Sequence, residues 1–372
     1  MIHKFKKIVI KIGSSSIVDA KKCKIKKKWL NSICKDIASL VKNKKKIVIV
    51  SSGAIALGKK NIIEKNSLHR LEDKQAAAAI GQVELINKWQ DSLSINKIKG
   101  AQLLLTLDDS EKRRRYLNIR QTISSLHKKN IIPIINENDT VATEEIRYGD
   151  NDRLAARVAQ MIDADLLIML SDVDGFYTAS PKRNKEAKKI TNIYKITKSI
   201  ENLVNSEHSS LGSGGMKTKL WAAKMCMNSG CSTVIADGLK TNAITKINKM
   251  NSTWFHASIS TNSSRKKWLL HHLHPSGTIL IDDGAVKAIH SNKSLLPAGI
   301  IKIIGKFNRG DVIRVCDINN NKIGIGVIAY DSHDAKKIVG KNSKDIKNIL
   351  GYEGRNEIIH KDDLVKINYE LS

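Results

Sequence analysis

Short β-branched runs alternate with helix-patterned segments through the first two thirds of this chain, and each run ends in small or polar residues. Lys7–Ile12 leads into Gly13-Ser14-Ser15-Ser16, Ile47–Val50 into Ser51-Ser52-Gly53, Ile131–Ile135 into Asn136-Glu137-Asn138-Asp139, and Leu166–Leu170 into Ser171-Asp172. Ala101–Leu105 and Ser232–Ala236 read as further strands. Between them, Trp29–Lys42, Gln75–Leu93, Arg113–Lys129, Asp152–Ile162 and the segment after Gly215 carry apolar residues at helical spacing. Strand, loop and helix in repetition predict an α/β fold with a mainly parallel open sheet covered by helices on both faces. Ligands of such sheets bind outside the carboxyl ends of the strands. That rule places Lys11, Ser52, Asn136, Asp139 and Ser171 on one rim.

The pattern changes after about Ser258. Residues 260–274 are polar and basic, and from Gly277 the apolar runs shorten to Thr278–Ile281, Ile300–Ile304, Val312–Cys316 and Gly324–Ala329, with Asn319-Asn320-Asn321 as a hairpin-type turn. The expected organisation of the 372 residues is a first domain over 1–258, a linker over 259–276, a small β-rich domain over 277–354 and a tail over 355–372.

Composition excludes several classes. No apolar stretch reaches the roughly 20 residues of a membrane span; Met161–Leu170 is interrupted by Asp163 and Asp165, and Met1–Gly13 lacks the pattern of a cleaved leader. The expectation is a soluble, cytoplasmic protein. Cys23, Cys34, Cys226, Cys231 and Cys316 form no C-x-x-C pair, which argues against zinc ribbons and a disulfide framework. His271-His272-Leu273-His274 has no cysteine or carboxylate nearby and reads as polar linker rather than metal ligand. The formal charge of +28 suggests nucleic acid. Its alternative is compositional: the excess is mostly lysine spread along the whole chain, and the runs Lys21–Lys28 and Lys42–Lys46 contain no aromatics for base stacking.

Gly212-Ser213-Gly214-Gly215-Met216-Lys217-Thr218-Lys219 precedes a helix. Three glycines admit a ligand close to backbone N–H groups, Thr218 adds a hydroxyl, and the helix N-terminus adds partial positive charge. The spacing is not that of a P-loop. The segment reads as another kind of phosphate cradle, or as a flexible basic loop. Phosphoryl transfer needs cations on the transferring and leaving phosphates and a fixed acceptor. Lys11 at a strand end and Lys219 in a first helical turn could supply the cations, or could be surface lysines. In Gly149-Asp150-Asn151-Asp152, the aspartates could cap a helix, orient the lysines or bind an ammonium group.

Val9-Ile10-Lys11-Ile12-Gly13-Ser14-Ser15, Val50–Ala56, Ile135–Asp139, Gly149–Asp152 and Gly212–Lys219 together resemble the amino acid kinase family. Leu295-Leu296-Pro297-Ala298-Gly299-Ile300 and Phe307-Asn308-Arg309-Gly310-Asp311-Val312 resemble a PUA domain. Within the family, the likeness is to the branch whose acceptor is the side-chain carboxylate of L-glutamate. It implies transfer of phosphate from Mg·ATP to give L-glutamyl 5-phosphate, the first step of proline synthesis from glutamate. It also implies that Lys11 and Lys219 contact the phosphates and that Asp152 holds both lysines. Ser52, Asp139 and Asn151 would bind glutamate, supported by Asn136 and Asp150, with Gly53 and Ala54 allowing close approach. Ser171, Asp172, Ser213, Gly214, Gly215, Met216, Lys217, Thr218 and Lys219, with Lys11, would line the ATP site. A homo-oligomer (dimer or tetramer), proline as feedback inhibitor and weak RNA contact through the PUA domain are further implications. Acceptors used elsewhere in the family are aspartate, N-acetylglutamate, carbamate and UMP, against which the PUA-like tail and the Asn136–Asp139 loop argue. Ser171 and Ser213 stand where threonine is usual, Ser180 where aspartate precedes the proline, and Ser210 and Lys217 also depart from the pattern. A carboxylate acceptor is ionised at pH 7, so no general base is required.

Overall fold

The computed structural model describes residues 2–62, 70–141, 150–179, 181, 184, 186–205, 215–257 and 275–366, with the side chains of Arg113, Asp150 and Asn205 outside that description. The chain divides into two compact units, Met1–Asn262 and Ser263–Ser372. Most of the expected linker, 259–276, lies outside the described residues.

In the first unit, eight strands form one sheet: β1 (Lys7–Ile12), β2 (Lys46–Ser51), β3 (Lys99–Leu105), β4 (Ile131–Glu137), β5 (Leu166–Ser171), β6 (Asn192–Ile193), β7 (Ser232–Asp237) and β8 (Ser252–Phe255). Their spatial order is β6-β8-β7-β5-β1-β2-β4-β3. Neighbouring pairs are parallel except β7 with β8. The strands are apolar at successive positions because both faces are covered. Ile8, Ile10 and Ile12 of β1 enter one core with Trp29, Leu30, Ile33 and Ile37 of α1 (Lys27–Lys42), Leu57 of α2 (Ala54–Ile62) and Leu85, Trp89 and Leu93 of α3 (Leu71–Ser94). Val9 points the other way, into a core with Ile123 of α4 (Arg113–Lys128), Leu154 and Val158 of α5 (Asp150–Met161), and Leu220 and Cys226 of α6 (Met216–Asn228).

Register aligns the strand ends. Ile12 lies opposite Ser51 and Leu170, and Ser171 lies opposite Asp237. The loops after β1, β2, β4 and β5 therefore leave from one edge, as the strand-loop-helix repeat predicts. Among the elements not legible in the sequence are α2, the paired short strands Val18–Asp19 and Lys24–Ile25, the hairpin of Phe176–Tyr177 with Lys189–Ile190, and the antiparallel β8.

The second unit holds a five-stranded sheet: β9 (Gly277–Ile281), β10 (Ile300–Gly305), β11 (Val312–Cys316), β12 (Lys322–Val327) and β13 (Leu364–Lys366), in the order β10-β9-β11-β12-β13. Its core includes Ile279, Ile281, Ile313, Val315, Ile328 and Ile359. The expected tail over 355–372 is corrected up to Lys366. Val365 pairs with Ile325, and Ile359 and Leu295 exchange backbone hydrogen bonds, because this segment supplies apolar side chains that close the core.

Candidate active site

Asp152, in the first turn of α5, is fully buried. Lys11 Nζ, from the end of β1, lies 2.7 Å from its Oδ1, and Lys219 Nζ, from α6, lies 3.2 Å from its Oδ2. The Thr218 hydroxyl donates to the same Oδ2 at 2.8 Å. Burial alone would push this carboxyl up, but the two ammonium groups outweigh it and hold Asp152 below the ordinary carboxylate value. Two lysines on one carboxylate leave an excess of one positive charge in a desolvated place. Such an excess attracts an anion. Three segments distant in sequence meet here because α5 and α6 pack on the same sheet face, beside β1.

A second group of polar side chains sits at the ends of β2 and β4. Asn151 Nδ2 donates to Ser52 Oγ at 2.9 Å and to Asn136 Oδ1 at 3.1 Å. Asn151 Oδ1 is buried and has no hydrogen-bond partner among the described residues. Asn136 Nδ2 donates to Gln82 Oε1 at 2.7 Å. Asn151 adjoins Asp152 in the chain, so the acceptor-like cluster and the cationic cluster share one helical turn.

Gly53 follows Ser52 with φ of +119°, and a Cβ there would come within 3.0 Å of Val18 Cγ2 and 3.3 Å of Ile17 Cγ2. The backbone thus turns sharply enough to present Ser52 while Ala54 begins α2. Asp139 is half-buried in the turn after β4, where the Asn138 N–H donates to Leu105 O at 2.9 Å. Asp150 opens α5. Ser171 is buried at the end of β5 and donates to Asp172 Oδ1 at 2.9 Å. Gly215 caps α6, Met216 is half-buried and Lys217 is exposed. Gly149, Ser180, Ser210, Gly212, Ser213 and Gly214 lie outside the described residues, and with them the centre of the expected phosphate cradle.

Sequence reasoning missed Gln82 and Trp89, both on α3. The Trp89 indole N–H donates to Ser51 Oγ at 3.0 Å, one residue before Ser52. A glutamine and a tryptophan on an amphipathic helix carry no signal of their own. Their spacing of seven, which puts both on one helix face, is the only hint.

The arrangement can therefore hold an anion between two buried lysines and, next to it, a small polar molecule. Comparison with known proteins agrees with the fold. The sequence profile of the Amino acid kinase family matches residues 6–237, and that of the PUA domain matches 277–350. The chain belongs to the amino acid kinase family, with a C-terminal PUA domain. Two curated relatives are named glutamate 5-kinase. One, from Pelagibacter ubique, is 50% identical over 363 residues, 97% of this chain and 98% of its own. The other, from Agrobacterium fabrum, is 49% identical over 360 residues, 96% of this chain and 92% of its own. Within the family, the chain groups with the glutamate 5-kinases. Among solved structures, a carbamate kinase from Giardia lamblia bound to AMP-PNP matches with a TM-score of 0.49 and 17% identity, covering 69% of this chain and all of that one.

Proposed function

We propose that the chain transfers the γ-phosphoryl group of ATP to the γ-carboxylate of L-glutamate, giving L-glutamyl 5-phosphate and ADP, the opening step of proline synthesis. A carboxylate oxygen attacks the γ-phosphorus, and the bond from that phosphorus to the β–γ bridging oxygen breaks. The acceptor is already ionised at neutral pH, so positioning and charge neutralisation suffice. The observation that carries this reading is the Lys11–Asp152–Lys219 cluster.

In this reading Lys11 and Lys219 neutralise charge on the transferring and leaving phosphates. Asp152 holds them apart and aimed. Mg2+, entering with ATP, would supply further charge neutralisation of the phosphates. Asp152 is a poor ligand for it, because both of its oxygens already face ammonium groups. Ser171, Asp172 and Ser213–Lys219 line the nucleotide side. Ser52, Asp139 and Asn151 take glutamate, with Asn136 and Asp150 in support and the Gly53–Ala54 backbone close by. The Ser52 hydroxyl accepts from Asn151 and keeps its own O–H to donate to a carboxylate. The buried Asn151 Oδ1, which has no partner among the described residues, can accept from an ammonium group.

Proline as a feedback inhibitor, a dimeric or tetrameric assembly, a cytoplasmic site of action and weak RNA contact through the PUA domain complete the proposal. An ADP-release assay over glutamate, aspartate, N-acetylglutamate, carbamate and UMP, repeated with proline, tests it. Release that depends on glutamate alone is expected, with hydroxamate trapping of the acyl phosphate. Release with another acceptor and none with glutamate would overturn it.

A further inference from the structure

Gln82 belongs to none of the loops that bear the reaction, yet its side chain ends at them. Its carbonyl oxygen accepts from Asn136 Nδ2 at 2.7 Å, while Asn136 Oδ1 accepts from Asn151 Nδ2 at 3.1 Å. An amide that donates on one side and accepts on the other has a fixed direction. Without an acceptor at Gln82, Asn136 can turn its NH2 toward the NH2 of Asn151, and the link to Asn151 is lost. Asn151 would then be held only through Ser52.

The helix that carries Gln82 is itself immobilised. Gly81 and Gly58 let α3 and α2 cross so closely that a Cβ on Gly81 would fall 1.9 Å from Ala54 O. Seven residues on, Trp89 anchors Ser51, and Ser51 Oγ donates to Ser52 O at 3.2 Å. Ser52 is thus supported twice from α3, once through Trp89 and Ser51 and once through Gln82, Asn136 and Asn151.

We propose that Gln82 is a positioning residue for the acceptor: it sets the direction of the Asn136 amide, and through it the aim of Asn151 at the carboxylate substrate. This rests on the glutamate-phosphorylating reading above. The test is steady-state kinetics of the full chain with Gln82→Leu and, as a second variant of the same length, Gln82→Met. The glutamate KM should rise about three- to tenfold, the cost of one lost neutral hydrogen bond, with kcat and the ATP KM within about twofold. In an Asn136→Ala background, Gln82→Leu should add nothing further, because its effect passes through that amide.

An unchanged glutamate KM in both variants would overturn the proposal. So would an equal rise in KM with and without Asn136, or a fall in kcat and melting temperature with KM intact. The wild-type chain separates this from the parent reading: if it releases no ADP with glutamate, the reading itself fails; if it does and Gln82 is silent, only the positioning role fails.

Discussion

Asp152 is the residue on which both lysines depend. Replacing it with asparagine removes one charge and leaves two buried ammonium groups without this shared counter-charge. The expected cost is about 3–5 kcal/mol, read from chemical denaturation at pH 7. Ionised Asp152 has a folded-state pKa below the ordinary 3.8, so its contribution is complete above that value and drains away as pH falls toward the lower folded-state pKa. The stability gap between wild type and Asp152→Asn should therefore be widest at neutral pH and shrink below pH 3.8; a gap constant across that range would refute the ion-pair account. Lys219→Ala should lower kcat by roughly 10²–10³-fold, the scale of a lost donor on developing charge. Near-normal turnover would reject its role. Asp139→Ala should chiefly raise the glutamate KM, and an effect confined to ATP would reverse the assignment of the two sides.

At the level of elements, the pair α2 and α3 decides how the acceptor side is built. Their crossing is backbone against backbone: a Cβ at Gly58 would lie 1.9 Å from Ala77 O, and one at Gly81 1.9 Å from Ala54 O. Gly81→Ala must force the helices apart. It should cost on the order of 1–3 kcal/mol in a thermal or denaturant melt, whereas Ala79→Ser, exposed on the same helix, should change little. Separation of the helices would also move Gln82 and Trp89, so a measurable rise in glutamate KM should accompany the loss. Parental stability in Gly81→Ala would show that the crossing is looser than described. The same closeness explains why α2 escapes a sequence reading: its apolar stripe is short, and its packing surface is a glycine.

The two units of the molecule have separate cores, one built on the eight-stranded sheet and one on the five-stranded sheet. Every described residue of the candidate site lies in the first. A fragment ending at Asn262 should therefore melt cooperatively and retain glutamate-dependent ADP release; a fragment that folds but is inactive would mean that the second unit completes the site. The formal charge of +28 is distributed over both units rather than focused on one module. Binding to single-stranded RNA in a filter assay should accordingly fall steeply as salt is raised to physiological strength. Affinity that survives that salt would point to a specific RNA role instead.

Much of the architecture was legible because strand and helix periodicities are local properties of the chain, and because a parallel sheet collects the loops after its strands on one rim. Lys11, Ser52, Asn136 and Ser171 could be placed on that rim from spacing alone, and the likeness of five loops to the family supplied their expected roles. The tail was misjudged because a three-residue strand, Leu364–Lys366, has too few positions to display a period.

By itself, then, the amino-acid order determined the alternating layers, the split into two units and the set of loops that meet at the sheet's edge. Only the tertiary structure decided which side chains within those loops touch. Asn151 reaches Ser52 across 99 positions, and Lys219 reaches Asp152 across 67. Such contacts depend on helix placement over the sheet to within an ångström, a quantity that no local pattern encodes. For the same reason Gln82 stayed hidden, being one polar residue on a helix until α3 is laid against the end of β4.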